Sequence, residues 1–241
     1  LNSILLKHKH SLIELAYKPK HMQEAKLNAD GFGIAWKNKS NFELYKSNLP
    51  IWNDLNLKSL SKSITSSLVL GNVRSATMIE NQGYFNTHPF NYKNYIFSHN
   101  GYIKDYNSVT KNRLYKNLNS KFKALIKGNT DSELIFILLM QFISDSENIE
   151  KSIKDVIAII KENYSACILN FILATINEKG KDVLFATKFA VGLKAATLFY
   201  IKYKNEHIII SSEKLNDNAW IDIKNNSLIK AYNNKITIKK I

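Results

Sequence analysis

The sequence is poor in cysteine and proline. Its 241 residues include one cysteine, Cys167, and three prolines. A single cysteine excludes an internal disulfide, so the fold is not a small disulfide scaffold and a reducing compartment is permitted. No Pro/Gly/Ser-rich stretch or internal repeat divides the chain. We therefore expect residues 1–241 to form a single domain.

Long apolar runs are also lacking. The densest one, Leu134–Ile143, has the length of a buried helix and is well short of the ~18 to 20 residues that a membrane span needs. The first residues have neither the apolar stretch nor the small-residue cleavage site of a signal peptide, and Leu1 is not a start methionine. We expect a cytoplasmic protein with no membrane association, with sequence missing ahead of Leu1.

Arginine is scarce in a chain that is otherwise basic. The formal net charge is +14, but only Arg74 and Arg113 are arginines, and the lysines are scattered along the sequence. A nucleic-acid-binding face should instead concentrate Lys and Arg, with stacking aromatics between them. The charge therefore does not favour a nucleic-acid partner. Such a basic module would be recognised by salt-sensitive retention on DNA or RNA.

Strands, then a helical block, then further strands follow one another along the chain. Period-two and helical spacing of apolar residues predict paired strands at Gly31–Lys37 and Phe42–Lys46 and a helix around Leu57–Ser66. Buried strands of one sheet are predicted at 67–73 and 94–100, helices at 114–126, 132–143 and 149–164, and strands at 167–176, 182–188, 197–204, 207–213, 227–232 and 235–241. This order predicts the α+β class, with mainly antiparallel sheets covered by helices.

Asn100-Gly101, between two apolar runs, admits two interpretations. Asn-Gly is a strong signal for a tight hairpin turn, because both residues tolerate the positive φ angles of a type I′ turn. The Asn side-chain amide and the Gly backbone N–H could instead be two donors aimed at a developing negative charge. The pair alone does not decide between a turn and an oxyanion site.

Three other segments carry residue types that the coarse fold does not demand. Asp30-Gly31 has the composition of a turn that enters a strand. Arg74, at the end of an apolar strand, admits two interpretations: a solvated or paired edge residue, or a residue whose planar bidentate fork matters, as it would for a carboxylate. Thr130 and Glu133 form a capping box before an apolar helix, which leaves Asp131 favourable for the helix dipole and also free to face an ammonium group.

Cys167 and the histidines offer little chemistry. Cys167 lies in an apolar strand pattern with no adjacent base, so we interpret it as a buried structural residue. His8 and His10 lie in a basic run without a partner ligand at metal spacing. His88 is expected in a loop and His99 in the sheet core as a satisfied polar group. No metal or cofactor is expected.

Taken together and in order, the segments resemble the class II glutamine amidotransferases, which are N-terminal-nucleophile hydrolases. The blocks that carry the resemblance are "HSLIELAYKPK", "LNADGFGIAW", "LPIWNDLNL", "VRSAT", "NTHPF", "FSHNGYI", "TDSE" and "ISSEKLNDNAW". They are most similar to the stand-alone branch, which includes the γ-glutamyl hydrolase of ergothioneine biosynthesis and glutathione-degrading amidotransferase-like proteins. The resemblance implies a four-layer αββα sandwich, two mainly antiparallel sheets between helical layers.

The resemblance also implies roles for five residues. Arg74 would bind the α-carboxylate of a glutamyl group, with the Thr77 hydroxyl as support, and Asp131 would bind its α-ammonium. Asn100, through its side-chain amide, and Gly101, through its backbone N–H, would form the oxyanion hole. Substrate bound at both charges would present its γ-carbonyl to the nucleophile.

The nucleophile that the resemblance implies is not in this sequence. In the family it is a cysteine at residue one, whose own α-amine, with a pKa of about 8, serves as general base. Leu1 falls inside the family pattern, so a strand of roughly a dozen residues is expected to be missing ahead of it. Cys167 cannot substitute, because a cysteine within the chain has no free α-amine.

Two hypotheses about function follow from the sequence, and the first of them has a variant. The first is hydrolysis of a γ-glutamyl amide through a thioester, with these 241 residues inactive as they stand. A variant of it is a glutaminase that supplies ammonia to a partner synthase, because a single domain of this size leaves no room for a synthase. The alternative class is a non-catalytic protein that binds γ-glutamyl groups.

Overall fold

The fold is described by a computed structural model that covers residues 1–20, 27–75, 83–204 and 207–241. Its α-helices are α1 (Leu12–Tyr17), α2 (Leu57–Ser63), α3 (Asn112–Tyr115), α4 (Ser120–Lys123), α5 (Asp131–Ser146) and α6 (Ile149–Asn163), with a π-helix at Ser3–Lys7 and 3-10 turns at Ile51–Asn53 and Tyr84–Asn86. Its strands are β1 (Phe32–Asn38), β2 (Asn41–Ser47), β3 (Val69–Val73), β4 (Phe90–Tyr92), β5 (Tyr95–Ile103), β6 (Cys167–Ile176), β7 (Asp182–Lys188), β8 (Ala190–Val191), β9 (Phe199–Lys202), β10 (Ile208–Ser211), β11 (Ile221–Asp222), β12 (Ser227–Tyr232) and β13 (Lys235–Lys240).

One large sheet and two small ones are built from the described strands. The large sheet has the order β13-β12-β7-β6-β5-β4, with β8 also paired to β6. The small sheets have the orders β2-β1-β3 and β10-β9-β11. All of these pairings are antiparallel, as the sequence predicts.

The layers can be read from the buried clusters. Ala35 and Leu70 of the first small sheet pack on Ile96 and Ala174 of the large sheet. Leu198, just before β9 of the second small sheet, packs with residues of β7 and β12, so this small sheet also lies on the large sheet. The opposite face of the large sheet is covered by α3 to α6, and the outer faces of the small sheets by α1, α2 and the N-terminal π-helix. This is the αββα sandwich that the resemblance implies.

Two sequence-based expectations about the elements are wrong. The strands predicted at 67–73 and 94–100 do not share a sheet: β3 pairs with β1, and β5 pairs with β4 and β6. Their apolar side chains meet across the sandwich instead, and periodicity cannot tell facing sheets from neighbouring strands. The helix predicted at 114–126 is two short helices, α3 and α4, because Asn119 caps α4 by accepting from the Phe122 N–H.

α5 is a buried helix, and its apolar composition accounts for this position. Most of its residues are buried, because it packs on β5 on one side and on α6 on another. Thr130 caps it, since its hydroxyl accepts the Glu133 N–H at 3.2 Å. In the part of the chain that the structure describes, no helix has both the length and the apolar character that crossing a bilayer requires.

Candidate active site

The space between the sheets changes from apolar to polar toward one end of the sandwich. Leu70, Ile96 and Ala174 lie in one buried cluster between the sheets. Because side chains alternate along a strand, residues an even number of positions away face the same space. On this basis the same face carries Asn72 and Arg74 beyond Leu70, Asn100 beyond Ile96, and Asn170 before Ala174. The candidate site lies at this polar end.

Asn100 and Gly101 lie within a strand and do not form a turn. β5 continues through both of them, paired with Asn170 and Leu169 of β6. The positive φ angles of the described residues fall elsewhere, so the hairpin interpretation is wrong. Glycine is needed at 101 for close approach, since a Cβ there would lie 2.0 Å from the Ile168 carbonyl oxygen. Asn100 is exposed at the open end of the sandwich.

Arg74 is held in position by the ladder that continues past β3. Its N–H donates to the Gly31 carbonyl and its carbonyl accepts from the Asp30 N–H, both at 2.9 Å. Gly31 has φ +111°, and the chain bends at Asp30 before it enters β1. Burial lowers the pKa of the Arg74 guanidinium, while the carboxylates of Asp30 and Asp131 raise it. A guanidinium stays protonated in proteins, so a half-buried cation lies at the mouth of the site.

Asp131 is the first residue of α5 and is oriented by backbone donors. Its Oδ2 accepts the Ile103 N–H and its Oδ1 accepts the Ser132 N–H, both at 2.7 Å. Ser132 Oγ also lies 3.2 Å from Oδ1; since a carboxylate has about four acceptor positions, Oδ2 can accept one more hydrogen bond. A cation and an anion, Arg74 and Asp131, are thus close enough for their charges to interact. This arrangement suits a ligand that carries both a carboxylate and an ammonium.

His99 links the strand to α5. Its Nε2 lies 3.0 Å from the Ile168 carbonyl oxygen and its Nδ1 lies 2.9 Å from Ser132 Oγ. A carbonyl only accepts, so Nε2 carries the proton. Burial lowers the pKa of His99, although Asp131 and the bond to Ile168 raise it. In the neutral ring Nδ1 then accepts the Ser132 hydroxyl proton. The expectation of a satisfied histidine in the core is confirmed.

Lys46 is hydrogen-bonded to the segment 84–87, which precedes β4. Its Nζ donates to the carbonyls of Thr87 at 2.9 Å and Tyr84 at 3.2 Å. Burial lowers the pKa of Lys46 to about 8, with Glu133 opposing the shift and Lys127 adding to it. Next to this segment His88 is only 5% exposed, so it is a buried histidine although it lies outside the strands. Burial above all holds the pKa of His88 well below its ordinary value.

We expect Lys46→Met to change how stability depends on pH. The pKa is about 8 when folded and ordinarily 10.5, so between these values the unfolded chain binds more protons and stability rises with pH. Below pH 8 this contribution is constant and unfavourable. The rise should be on the order of 1 kcal/mol, because part exposure reduces the effect. Urea unfolding of wild type and variant from pH 7 to 10.5 measures it.

The control for that measurement is Lys62→Met, at an exposed site in the last turn of α2. It removes the same charge at the surface and should give a stability curve parallel to that of the wild type. If Lys46→Met also runs parallel to the wild type across this range, the buried ammonium is not destabilising and the interpretation of Lys46 is wrong.

The hydrogen bonds of the Glu133 side chain differ from those of the predicted capping box. Its two carboxylate oxygens accept the N–H groups of Lys127 and Gly128, each at 2.8 Å, and so it reaches further back than the N-cap residue. Asn86 continues this scaffold, because its Oδ1 accepts the Asn129 N–H at 3.0 Å. The loop before α5 is therefore anchored on both sides, which fixes the position of Asp131.

Cys167 has the properties of a structural residue. It is 0% exposed, and burial raises the pKa of its thiol to about 11, so the thiolate that nucleophilic attack requires is almost absent at neutral pH. Its side chain belongs to the core between the large sheet and the helices. The interpretation of Cys167 as non-catalytic agrees with this environment.

The structure brings together four of the five residues named from the sequence. Arg74, Asn100, Gly101 and Asp131 lie at the same end of the sandwich, whereas Thr77 lies outside the described residues. Lys46 and Asn170 are not among the residues expected from the sequence. Nothing distinguishes Lys46 among many lysines, but an Asn within the apolar run "CILNFIL" is a signal, since a buried amide requires hydrogen-bond partners.

Comparison with a solved structure establishes the class of fold. A glutamine aminotransferase class-II domain protein from Silicibacter pomeroyi superimposes with a TM-score of 0.69 at 19% identity, over 87% of this chain and 90% of that chain. At this level of identity the similarity shows a common fold and does not show a common function. The described sandwich is thus that of the class-II glutamine amidotransferase domain.

Sequence comparison establishes the family. The profile of the class-II glutamine amidotransferases matches residues 11–189, and this chain belongs to that family. The probable glutamine amidotransferase DUG3 of Saccharomyces cerevisiae is 30% identical over 151 residues, 58% of this chain and 41% of that protein. The gamma-glutamyl-hercynylcysteine sulfoxide hydrolase of Mycobacterium tuberculosis is 27% identical over 103 residues, 43% of this chain and 44% of that protein. The chain spans less than half the length of these curated relatives.

Proposed function

We propose that the protein hydrolyses γ-glutamyl amides and that Arg74, Asp131, Asn100 and Gly101 form its substrate site. The observation that carries this proposal is the juxtaposition of a half-buried guanidinium and an oriented carboxylate beside the exposed amide of Asn100. A glutamyl group has a carboxylate, an ammonium and a reacting carbonyl, and each finds a complementary group. Thr77 is proposed to support the bound α-carboxylate.

In the proposed reaction a thiolate attacks the γ-carbonyl, and the negative charge that develops on oxygen is stabilised by the Asn100 amide and the Gly101 N–H. The amine leaves with a proton and a thioester remains. Water then attacks the thioester, which releases glutamate and restores the thiol. Arg74 and Asp131 hold the substrate at both charges, so that only its γ-carbonyl reaches the thiol.

The thiol of this reaction is proposed to belong to a cysteine outside the 241 residues, because Cys167 is buried in the core with a raised pKa. Hydrolysis of a γ-glutamyl conjugate is favoured, since a relative is named for that activity; ergothioneine biosynthesis is one pathway in which such a step occurs. We propose a cytoplasmic enzyme of one domain that requires no cofactor. Delivery of ammonia to a partner synthase is the variant in which glutamine is the substrate.

The nucleophile can be tested by comparing three proteins: the natural full-length protein, its Cys→Ser variant at the proposed N-terminal position, and residues 1–241. Glutamate release from γ-glutamyl amides is the measurement. We expect release by the first only, and a covalent adduct of the first only with a glutamine analogue that carries a chloromethyl ketone. Hydrolysis by residues 1–241 would contradict the proposal.

A binding protein without a nucleophile is the second candidate, favoured by the inert environment of Cys167. It predicts a natural start without cysteine after the methionine, together with binding of glutamate by residues 1–241 that is measurable by calorimetry. A start with Met-Cys and turnover by the full-length protein would eliminate it.

A further inference from the structure

Asn170 is a polar residue in the most buried strand of the large sheet. It lies in β6, directly opposite Asn100 of β5, and is 3% exposed. Directly opposite residues of an antiparallel pair project to the same face, with Cβ atoms ~5 Å apart. Asn170 therefore shares the polar end of the inter-sheet space with Asn100, and none of the roles assigned above uses it.

The orientation of the Asn170 amide is fixed by its surroundings. Its Nδ2 donates to the Ala196 carbonyl at 3.0 Å and to the Thr197 carbonyl at 3.3 Å. Rotating the amide by 180° would place Oδ1 against two carbonyl oxygens, which only accept hydrogen bonds. The Nδ2 group must therefore point at this loop, and Oδ1 must point away from it.

That oxygen lacks a hydrogen-bond partner. The Oδ1 atom of Asn170 is buried, and no donor reaches it among the residues that the structure describes. A buried acceptor without a donor is unfavourable, and native proteins rarely leave one. A donor near Asn170 is therefore required, and the side-chain amide of Asn100 is the one placed directly across the strand pair.

We propose that Asn170 is a positioning residue: the exposed Asn100 side chain turns so that one Nδ2–H donates to Asn170 Oδ1, a hydrogen bond that the described conformation does not contain, and the second N–H is thereby directed toward the reacting carbonyl. An exposed Asn side chain samples several rotamers, whereas an oxyanion donor stabilises charge best when it is already oriented. The use of the second N–H in catalysis rests on the proposed function; the contact between the two asparagines does not.

The contact can be tested by NMR on residues 1–241 as they are. We expect one of the two Asn100 Nδ2 protons to exchange with solvent at least tenfold more slowly than those of Asn91, an exposed asparagine in β4. Asn170→Leu removes the acceptor at similar volume and should abolish this difference. Equal exchange at Asn100 and Asn91 in the wild type would overturn the proposal, whether or not the variant folds.

Asn94→Ala is the matched control. Asn94 Nδ2 donates to the Ile176 carbonyl at 2.8 Å, at the opposite end of the same strand pair. Its loss perturbs β5 and β6 to a similar extent but leaves the Asn100–Asn170 pair intact. Exchange at Asn100 should be unchanged in this variant; a change as large as that in Asn170→Leu would indicate a general loosening of the strands and would also overturn the proposal.

A double-mutant cycle on the natural full-length protein tests the catalytic consequence. We expect Asn170→Leu to lower kcat about tenfold with little change in KM, and Asn100→Ala to lower kcat by about 100-fold. The double variant should equal Asn100→Ala, because Asn170 acts only through Asn100. Additive losses would overturn the positioning role. A wild-type protein without γ-glutamyl hydrolysis would refute the proposed function instead, and the exchange measurement would still decide the contact.

Discussion

Replacing Arg74 with alanine in the natural full-length protein should reduce kcat/KM for γ-glutamyl substrates by about 100- to 1000-fold, equivalent to about 3 to 4 kcal/mol of transition-state stabilisation. The substrate α-carboxylate would lose a charge-assisted, bidentate partner in a half-buried environment. Asp30 and Asp131, whose charges interact with Arg74, would lose their cation as well. Arg74→Lys keeps the charge without the planar fork and should fall between wild type and alanine.

A substrate analogue makes the assignment of Arg74 specific. An amide of 4-aminobutyrate lacks the α-carboxylate, so the wild type should discriminate strongly against it and Arg74→Ala should not. Arg113→Ala is the control, because Arg113 donates to the Asn163 carbonyl at an exposed site and takes no part in the proposed site. Unchanged kinetics in Arg74→Ala, or discrimination that persists in it, would refute the carboxylate-binding role.

Gly101→Ala should destabilise the fold by roughly 2 to 4 kcal/mol and lower kcat by at least about 100-fold. The added Cβ would lie 2.0 Å from the Ile168 carbonyl oxygen and 2.8 Å from His99 Nε2. Backbone at that distance has to move, so β5 must separate from β6. The separation would displace the Gly101 N–H and the neighbouring Asn100, and it would break the bond from His99 to Ile168.

Urea unfolding and steady-state kinetics measure the two effects of Gly101→Ala. Gly180→Ala is the control, since no atom lies within 4 Å of a Cβ there and the only penalty comes from a φ of +69°. That penalty is about 1 kcal/mol, and kcat should not change. A Gly101→Ala protein as stable and active as Gly180→Ala would mean that the close approach of the strands is not required.

The sequence predicts those elements whose apolar pattern ends at clear breakers. β6, β7 and β12 occupy the predicted residues, and β1 and β2 pair as expected. The sheet to which β3 belongs could not be predicted, because apolar spacing records that a side chain is buried and does not record which strand it faces. The helix predicted at 114–126 is also divided in the structure, since a local cap at Asn119 overrides a continuous helical pattern.

For the candidate site, too, some features can be predicted from the sequence and others cannot. The resemblance to the family indicates Arg74, Asn100, Gly101 and Asp131 as site residues, and the structure places them at one end of the sandwich. The register that sets Asn170 opposite Asn100 could not be predicted, because it depends on pairing between distant segments. The clash that requires glycine at 101 also needs coordinates. A sequence alone therefore allowed Asn-Gly to be interpreted as a turn.

The pairing of β5 with β6 also bears on the order of folding. β1 with β2, β6 with β7 and β12 with β13 are sequence neighbours and can pair early, whereas β5 and β6 are separated by the whole of α3 to α6. Closing so long a loop is entropically costly and slow. The two helices that fill this interval, α5 and α6, pack against each other and shorten the distance to be closed. Asn100 and Asn170 would then meet only late, so that an incompletely folded chain would retain much of its secondary structure while lacking the site.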